Sequence, residues 1–146
     1  MGELDNFTVD VTGLKELNER LDGLTAKVQR QVLRSGLRAG AKVVQKEAAR
    51  NIAVRSGLTK KHIITKVSVK RAGYGEATVG VKRPRAHIGR FLENGTARMA
   101  ARPFLRPALD TKAREATRIF GEALDAAVTR QEAKLAAMEA MAAGDE

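Results

Sequence analysis

The fold is organised by residues 88–110, which read Ile88-Gly-Arg-Phe-Leu-Glu-Asn-Gly-Thr-Ala-Arg-Met-Ala-Ala-Arg-Pro-Phe-Leu-Arg-Pro-Ala-Leu-Asp110. The segment holds two glycines, two prolines, two phenylalanines and four arginines, with Glu93 as its one acid before Asp110. Gly95 predicts a backbone position with positive φ or a close approach of other chain segments. So many conformationally restricted residues predict a segment of fixed shape, as an assembly element would need.

Two prolines divide the second half of this segment. Pro103 and Pro107 each fix their own φ and push the preceding residue, Arg102 or Arg106, toward extended geometry. The sequence therefore predicts an extended run from Arg102 to Arg106. Pro107 also suits the first turn of a helix, where a missing amide hydrogen is tolerated.

Length and charge restrict the class of protein. The 146 residues suit one domain, and the chain has no cysteine, so no disulfide or thiolate metal site is expected. No apolar run is long enough to predict a transmembrane helix. Residues 27–71 hold 13 bases and one acid, and residues 82–106 hold 7 bases and one acid, whereas 1–26 and 107–146 are acidic. This pattern favours an anionic partner such as nucleic acid or an acidic protein face, although a basic surface can also serve solubility alone.

The N-terminal half predicts a short strand and two helices. Residues 7–11 alternate apolar and polar side chains, which is typical of a strand. Leucines recur at spacings of three and four over 14–24, which predicts a first helix. A second helix is predicted over 26–51, with a break near Gly23 and a cap at Thr25, because the apolar faces of the two helices point in different directions.

The second helix carries a row of basic side chains, most of them four residues apart. We call this set the basic ribbon, and it is a candidate contact surface for DNA backbone or an acidic partner. Gly36 and Gly40 weaken the helix but allow another backbone to come close, which predicts a helix crossing. The basic ribbon comprises Lys27, Arg30, Arg34, Arg38, Lys42, Lys46 and Arg50.

The middle of the chain predicts a β-hairpin. Residues 63–70 alternate as a strand, 72–75 (Ala-Gly-Tyr-Gly) indicate a turn, and 76–81 indicate the return strand. A loop is predicted over 82–86, followed by a helical turn over 87–92. The predicted fold class is α+β, with N-terminal helices, a small antiparallel sheet containing the hairpin, and a long C-terminal helix.

The C-terminal helix is predicted from Pro107 to about Ala143, with Gly121 as its one breaker. Thirty or more residues at 1.5 Å each would reach about 50 Å. Its far part is rich in alanine, so it would fray or pack against a neighbouring copy. We expect a single domain over 1–143, an alanine-rich extension over 122–143, and a disordered tail at 144–146.

Residue types that carry chemistry are sparse. His62 and His87 each lack a second ligand at metal spacing, and a lone histidine is usually a packing or surface residue. Glu93 among arginines indicates an ion-pair partner rather than a general acid, and the carboxylates of the end helices indicate solvated faces. With no nucleophile–base pair, the sequence predicts no enzyme, no metal, no cofactor and no small-molecule substrate.

Three groups of residues resemble one known family. These are Val-Thr-Gly-Leu-Lys-Glu-Leu at 11–17, Ser-Gly-Leu-Thr-Lys at 56–60, and Phe91-Leu-Glu-Asn-Gly-Thr96 followed by Arg102-Pro-Phe-Leu-Arg-Pro-Ala-Leu109. Over roughly 8–125 the chain resembles the tail-completion or neck proteins of long-tailed bacteriophages and related particles. In that family Asn94 is more often bulky or aromatic, and Leu92 is more often valine.

The resemblance implies a structural virion protein of the head–tail interface. It implies a homo-oligomeric ring, expected to hold six or twelve copies, that joins the capsid connector to the tail and lets DNA pass. Partners would be connector or head-closure proteins, tail proteins and the DNA itself, with no membrane, and assembly would take place in the bacterial host cytoplasm. The motif residues expected at a subunit or partner interface are Phe91, Glu93, Gly95, Thr96, Arg102, Pro103, Phe104, Leu105, Arg106 and Pro107.

Alternatives remain at two levels. Within the motif, Glu93 is expected to bond inside the turn or to an arginine, while Phe104 and Leu105 either anchor an arm on a neighbour or close the core of their own subunit. For the whole protein, one alternative is a sequence-independent DNA-binding protein that uses the basic ribbon. The other is a tail terminator from the same region of the virion.

Overall fold

The computed structural model describes the backbone of residues 6–7, 15–52, 57–71 and 74–144, and the side chains of 19–52, 57–70 and 74–144. Two strands form a hairpin that follows three helices and precedes two more, the last of them very long, so the α+β class with a long C-terminal helix is confirmed. The elements are β1 (Asn6–Phe7), α1 (Lys15–Asp22), α2 (Ala26–Asn51), α3 (Leu58–Lys61), β2 (Ile63–Arg71), β3 (Tyr74–Val81), α4 (Ala86–Asn94) and α5 (Leu105–Ala143).

The N-terminal helices follow the predicted pattern. The second helix has the predicted bounds Ala26–Asn51, and the Thr25 hydroxyl accepts a hydrogen bond from the amide of Val28 at 3.4 Å. The predicted break before it is confirmed, because α1 ends at Asp22. Of the strand predicted over 7–11, Phe7 belongs to β1 and the remainder lies outside the described residues.

The described strands form an antiparallel sheet in the order β1-β3-β2. In the hairpin, Ile63 pairs with Val81 and Val67 with Ala77, with an irregularity between Val69 and Arg71. The buried side chains Ile63, Val69, Ala77, Val79 and Val81 give the sheet one apolar face, which packs on α2. Covering this face removes the apolar surface from water, which stabilises the pairing.

Helix α2 lies at the centre, with the sheet against one side and α5 against another. Toward α5, a Cβ on Gly40 would lie 2.9 Å from the carbonyl oxygen of Ala116, and one on Gly36 would lie 3.3 Å from the ring of Phe120. The helix crossing predicted at these glycines is therefore confirmed. Because Gly36 meets Phe120 and Gly40 meets the earlier Ala116, α2 and α5 run antiparallel.

The hairpin turn was predicted wrongly at its second half. Tyr74 and Gly75 belong to β3 rather than to the turn, and residues 72–73 lie outside the described set. A Cβ on Gly75 would lie 2.5 Å from Cδ1 of Leu37 and 3.1 Å from Cδ2 of Leu33. The glycine therefore serves the close approach of α2 to the strand, a use of glycine that sequence alone does not separate from a turn.

Two further boundaries differ from prediction. The helical turn expected over 87–92 is a full helix, α4, and α5 begins at Leu105 with Pro107 in its first turn. The run predicted as extended from Arg102 to Arg106 is therefore wrong for its last three residues, because Phe104 has ψ −28° and Leu105 and Arg106 are helical. Pro107 disfavours helical geometry at Arg106. Hydrogen bonds from the backbone to Glu93, described below, favour helical geometry there and outweigh this effect. The tail residues 145–146 lie outside the described part of the chain.

Candidate assembly segment and basic helix face

Glu93 caps the start of α5. Its carboxylate accepts hydrogen bonds from the backbone amides of Phe104 at 2.8 Å, Leu105 at 2.9 Å and Arg106 at 2.9 Å. A helix leaves its first four N–H groups without partners inside the helix. Three of those groups bind Glu93 here, and the fourth position is Pro107, which has no N–H. The negative charge also lies at the positive end of the helix dipole.

This arrangement corrects the predicted role of Glu93. The acid was expected to bond within its own turn or to an arginine, but it reaches 11 to 13 residues along the chain to backbone amides. The side chain is buried, and among the described residues it takes part in no ion pair. The arginines of the segment are thus left without this acid as a partner.

The loop between α4 and α5 is held by its own backbone. Gly95 has φ +75°, and a Cβ there would lie 2.8 Å from the amide nitrogen of Ala101, so both predicted reasons for a glycine are confirmed. The amide of Thr96 donates to the carbonyl of Met99 at 2.9 Å. The amide of Arg102 donates to the carbonyl of Leu92 at 2.7 Å, which returns the chain to α4.

Phe104 lies in the core of its own subunit. It is fully buried, and its ring passes close to Gly89, where a Cβ would lie 3.7 Å from Cζ of Phe104 and 2.6 Å from Cγ2 of Val81. The glycine in α4 therefore makes room for the aromatic ring and the end of β3. This position supports the interpretation in which Phe104 closes its own core.

The remaining motif residues divide by exposure. Gly95, Leu105 and Pro107 are half-buried. Five are exposed and available to another molecule: Phe91, Thr96, Arg102, Pro103 and Arg106. The segment thus has a buried set that fixes its shape and an exposed set that forms its surface.

The basic ribbon lies on the free face of α2. All seven side chains are exposed, while the other faces of the helix contact the sheet and α5. Within the described residues, the ribbon makes one ion pair, from Arg50 to Glu47 at 3.7 Å. The structure therefore presents this charge to solvent along a helix of 26 residues.

One polar network was missed from the sequence. Arg20 of α1 donates to Asp125 at 2.8 Å, to Thr129 at 3.0 Å and to Glu132 at 2.9 Å, all on α5. The hydrogen bonds from Arg20 lower the pKa of the Glu132 carboxyl below its usual value, and the same bonds raise the pKa of Arg20. Glu132 is exposed, as predicted for the carboxylates of the end helices, but its bonds to Arg20 were not predicted. The partners are more than 100 residues apart, so no local pattern indicates the network.

The end of α5 is exposed to solvent along its whole length. We call residues 132–143 the C-terminal overhang, because every residue in it is exposed. Three large apolar side chains lie there: Leu135 is 49% exposed, Met138 67% and Met141 77%. The sequence indicated an alanine-rich stretch that needs a neighbour, but these three residues were not singled out.

Sites for other chemistry are sparse in the described residues. His62 Nδ1 lies 2.6 Å from the carbonyl of Leu58, and His87 packs edge-on against Phe91 with ring centroids 5.9 Å apart. No group of three or more potential metal ligands occurs in the described part of the chain. None of the helices described is long and apolar enough to cross a bilayer.

Comparison with known proteins gives one family. The family model described as "Bacteriophage HK97-gp10, putative tail-component" matches residues 15–95, which is more than half of the chain. The match covers α1, α2, α3, the hairpin and α4 up to Gly95, and it ends before α5 and the Arg102–Leu109 half of the motif. No curated protein and no solved structure matches the chain.

Proposed function

The chain belongs to the HK97-gp10-like family of bacteriophage tail components, and on that premise we propose that it is a structural protein of the head–tail interface. In this role it forms a ring that joins the capsid connector to the tail and lets DNA pass. The observation that carries the proposal is the family match over residues 15–95. The half of the motif beyond that range supports it, because Glu93 bonds the two halves into one folded unit.

The proposed interface uses the exposed part of the motif. Phe91, Thr96, Arg102, Pro103 and Arg106 are placed to contact a neighbouring copy or a connector or tail protein. Glu93, Gly95, Phe104, Leu105 and Pro107 act through the shape that they give the segment. Substituting the exposed set should therefore impair assembly while leaving the subunit folded.

The basic ribbon supports a contact with an anionic partner in the same particle. Seven exposed bases on one helix provide a surface for the phosphates of DNA in the channel or for an acidic face of a partner protein. Assembly in the cytoplasm of the bacterial host, and a final place in the virion, belong to the same proposal.

Electron microscopy of purified particles tests this function. We expect a ring of density between connector and tail into which the subunit fits, and labelled protein at that position. Label at the head-distal end of the tail tube in tails that lack heads would indicate the tail terminator instead. A protein absent from particles and monomeric under all assembly conditions would contradict the proposal.

A second candidate is a sequence-independent DNA-binding protein, favoured by the exposure of the whole basic ribbon. Binding to duplex DNA would then weaken steeply with salt, with a log–log slope near −0.9 for each phosphate contacted. The triple variant Arg34→Glu, Arg38→Glu, Lys42→Glu should abolish it.

The matched control for DNA binding is Arg83→Glu, Arg98→Glu, Arg114→Glu, which changes net charge equally at exposed positions outside the ribbon. Equal losses from both triple variants would indicate a diffuse electrostatic effect. No binding at low salt would exclude this candidate.

A further inference from the structure

The face that α5 buries against α2 continues into the C-terminal overhang. Phe120, Leu124 and Val128 are buried, and they recur every four residues. From there the same side of the helix passes through half-buried Gln131 to Leu135 and Met138, at spacings of three and four. At 3.6 residues per turn these positions stay on one face. The apolar stripe is therefore buried between Phe120 and Val128 and exposed at Leu135 and Met138.

Helix α2 covers this stripe only as far as its own N-terminal end, because the two helices run antiparallel. Near the start of α2, a groove of about 460 Å³ separates the two helices, with Val32 and Ser35 on one side and Ala127 and Ala137 on the other. From Glu132 to its end, α5 runs for about three turns in which every residue is exposed, and Ala137 within this stretch still lines the groove. Large apolar side chains on a projecting helix are typical of a surface that another chain covers.

We propose that the C-terminal overhang of one copy docks, through Leu135, Met138 and Met141, on the basic surface around Phe91 and Met99 of a second copy. This inference rests on the proposed ring function and names the contact between its subunits. The receiving surface lies in residues 82–106, where Phe91 is 45% and Met99 39% exposed. The contact pairs apolar side chains with apolar side chains.

The charges of the two surfaces favour a second copy of this chain as the docking partner. Residues 132–146 carry Glu132, Glu139, Asp145 and Glu146 against Lys134 alone. The receiving surface carries seven bases, and the carboxylate of its one acid, Glu93, is bound to backbone amides. A negative overhang and a positive receiving surface attract each other, whereas two overhangs placed side by side would bring acids together.

The length of α5 makes the contact intermolecular. The helix begins beside the receiving surface at Leu105 and runs for 39 residues, or about 58 Å, before it ends. The overhang is therefore far from the receiving surface of its own subunit. A contact between two different surfaces of identical chains is heterologous, and such contacts close into a ring or extend into a filament.

Site-specific cross-linking tests the contact. Because the chain has no cysteine, the introduced thiol is the one cysteine of each variant. Chains with Met138→Cys and differently tagged chains with Met99→Cys are mixed under conditions where native mass spectrometry shows oligomers, then treated with a short bismaleimide. We expect a mixed cross-linked dimer. The matched control is Ala136→Cys, which lies in the overhang on the opposite side of the helix and should give about tenfold less product.

Three results would overturn the inference. Met138→Cys chains that cross-link only to one another would show that two overhangs pair. Cross-linking in particles to a different phage protein would assign the overhang to that partner. Oligomers that form without any cross-link between positions 99 and 138 would contradict this contact and leave the ring intact, whereas the absence of oligomers under every condition would contradict the ring itself.

A second measurement separates assembly from folding. Met138→Asp places a charge on the apolar stripe at a position that is exposed in the subunit. The melting temperature of the isolated subunit should therefore not change. Assembly should weaken by about tenfold or more, because a buried methionine would be lost from the contact. Ala136→Asp should leave assembly unchanged, and equal effects of the two substitutions would contradict the proposed docking face.

Discussion

The two ends of α5 differ in what holds them. At the start, Glu93 binds three backbone amides and Phe104 fills the core beside them. At the end, residues 132–143 are all exposed, and Arg20 with Glu132 is the last tie described to the rest of the subunit. One helix thus begins in buried contacts made within its own chain and ends in an exposed surface that is bonded to the subunit through Glu132. The first end determines the fold, and the second is available for assembly.

The largest effect on stability is expected at the buried end. Phe104→Ala removes a fully buried aromatic ring, which should lower the free energy of unfolding by about 3–5 kcal/mol. Urea unfolding measures it, with Phe91→Ala as control, because that aromatic lies in the same segment and is exposed. Similar losses from the two substitutions would contradict the buried position of Phe104.

The next effect is expected from the cap. Glu93→Ala leaves three amides at the helix start without their acceptor, one of them buried, and should cost about 3 kcal/mol. Glu93→Gln keeps one acceptor oxygen and should cost less. Glu122→Ala is the control, since it removes an exposed acid from the same helix and should change the stability by less than about 0.5 kcal/mol. A loss at position 93 no larger than this control would show that the cap is not needed.

A smaller effect is expected at the helix crossing in between. Gly40→Ala places a Cβ 2.9 Å from a backbone oxygen of α5, so the helices must move apart. The cost of overpacking is partly offset by the better helix propensity of alanine, for a net loss of about 1 kcal/mol. Gly23→Ala serves as control, because its Cβ would meet its nearest atom at an ordinary 3.5 Å. A stabilised Gly40→Ala protein would show that the crossing has room.

The smallest effect on stability is expected at the Arg20–Glu132 network, in the C-terminal part of α5. Because hydrogen bonds from Arg20 lower the pKa of Glu132, the network stabilises the folded state above the ordinary pKa of a glutamate. This contribution is lost as the pH falls through the lowered pKa. The melting temperature of Arg20→Ala should therefore lie below that of the wild type at pH 7, and the difference should shrink as the pH is lowered below the ordinary pKa of a glutamate. A difference that persists in acid would assign the role of Arg20 to packing rather than charge.

Local signals in the sequence predicted much of the fold. The bounds of α2 follow from the Thr25 cap and a regular apolar period, and Gly36 with Gly40 indicated the crossing that the structure shows. Gly75 was assigned to a turn because glycine is common in turns. Its actual role depends on two leucines of α2 about 40 residues earlier in the chain, which no short window contains.

In the candidate segment, one local backbone feature was predicted correctly, whereas the long-range contacts were not predicted. The segment at 88–110 was identified from its prolines and glycines, and Gly95 has the predicted positive φ. The bonds of Glu93 to amides beyond the loop, and of Arg20 to α5, depend on how distant segments pack. The exposed stripe of the overhang could not be predicted from the sequence, because its exposure depends on how far α2 extends along α5.

Hydrogen exchange along α5, measured in the isolated subunit and in the assembled oligomer, tests the difference between its two ends most directly. We predict that the amides of residues 108–128 are protected in both states, because this part of the helix is buried against α2. Those of 132–143 should exchange rapidly in the subunit and become protected on assembly. Rapid exchange of 132–143 in the oligomer, or full protection in the isolated subunit, would contradict the account.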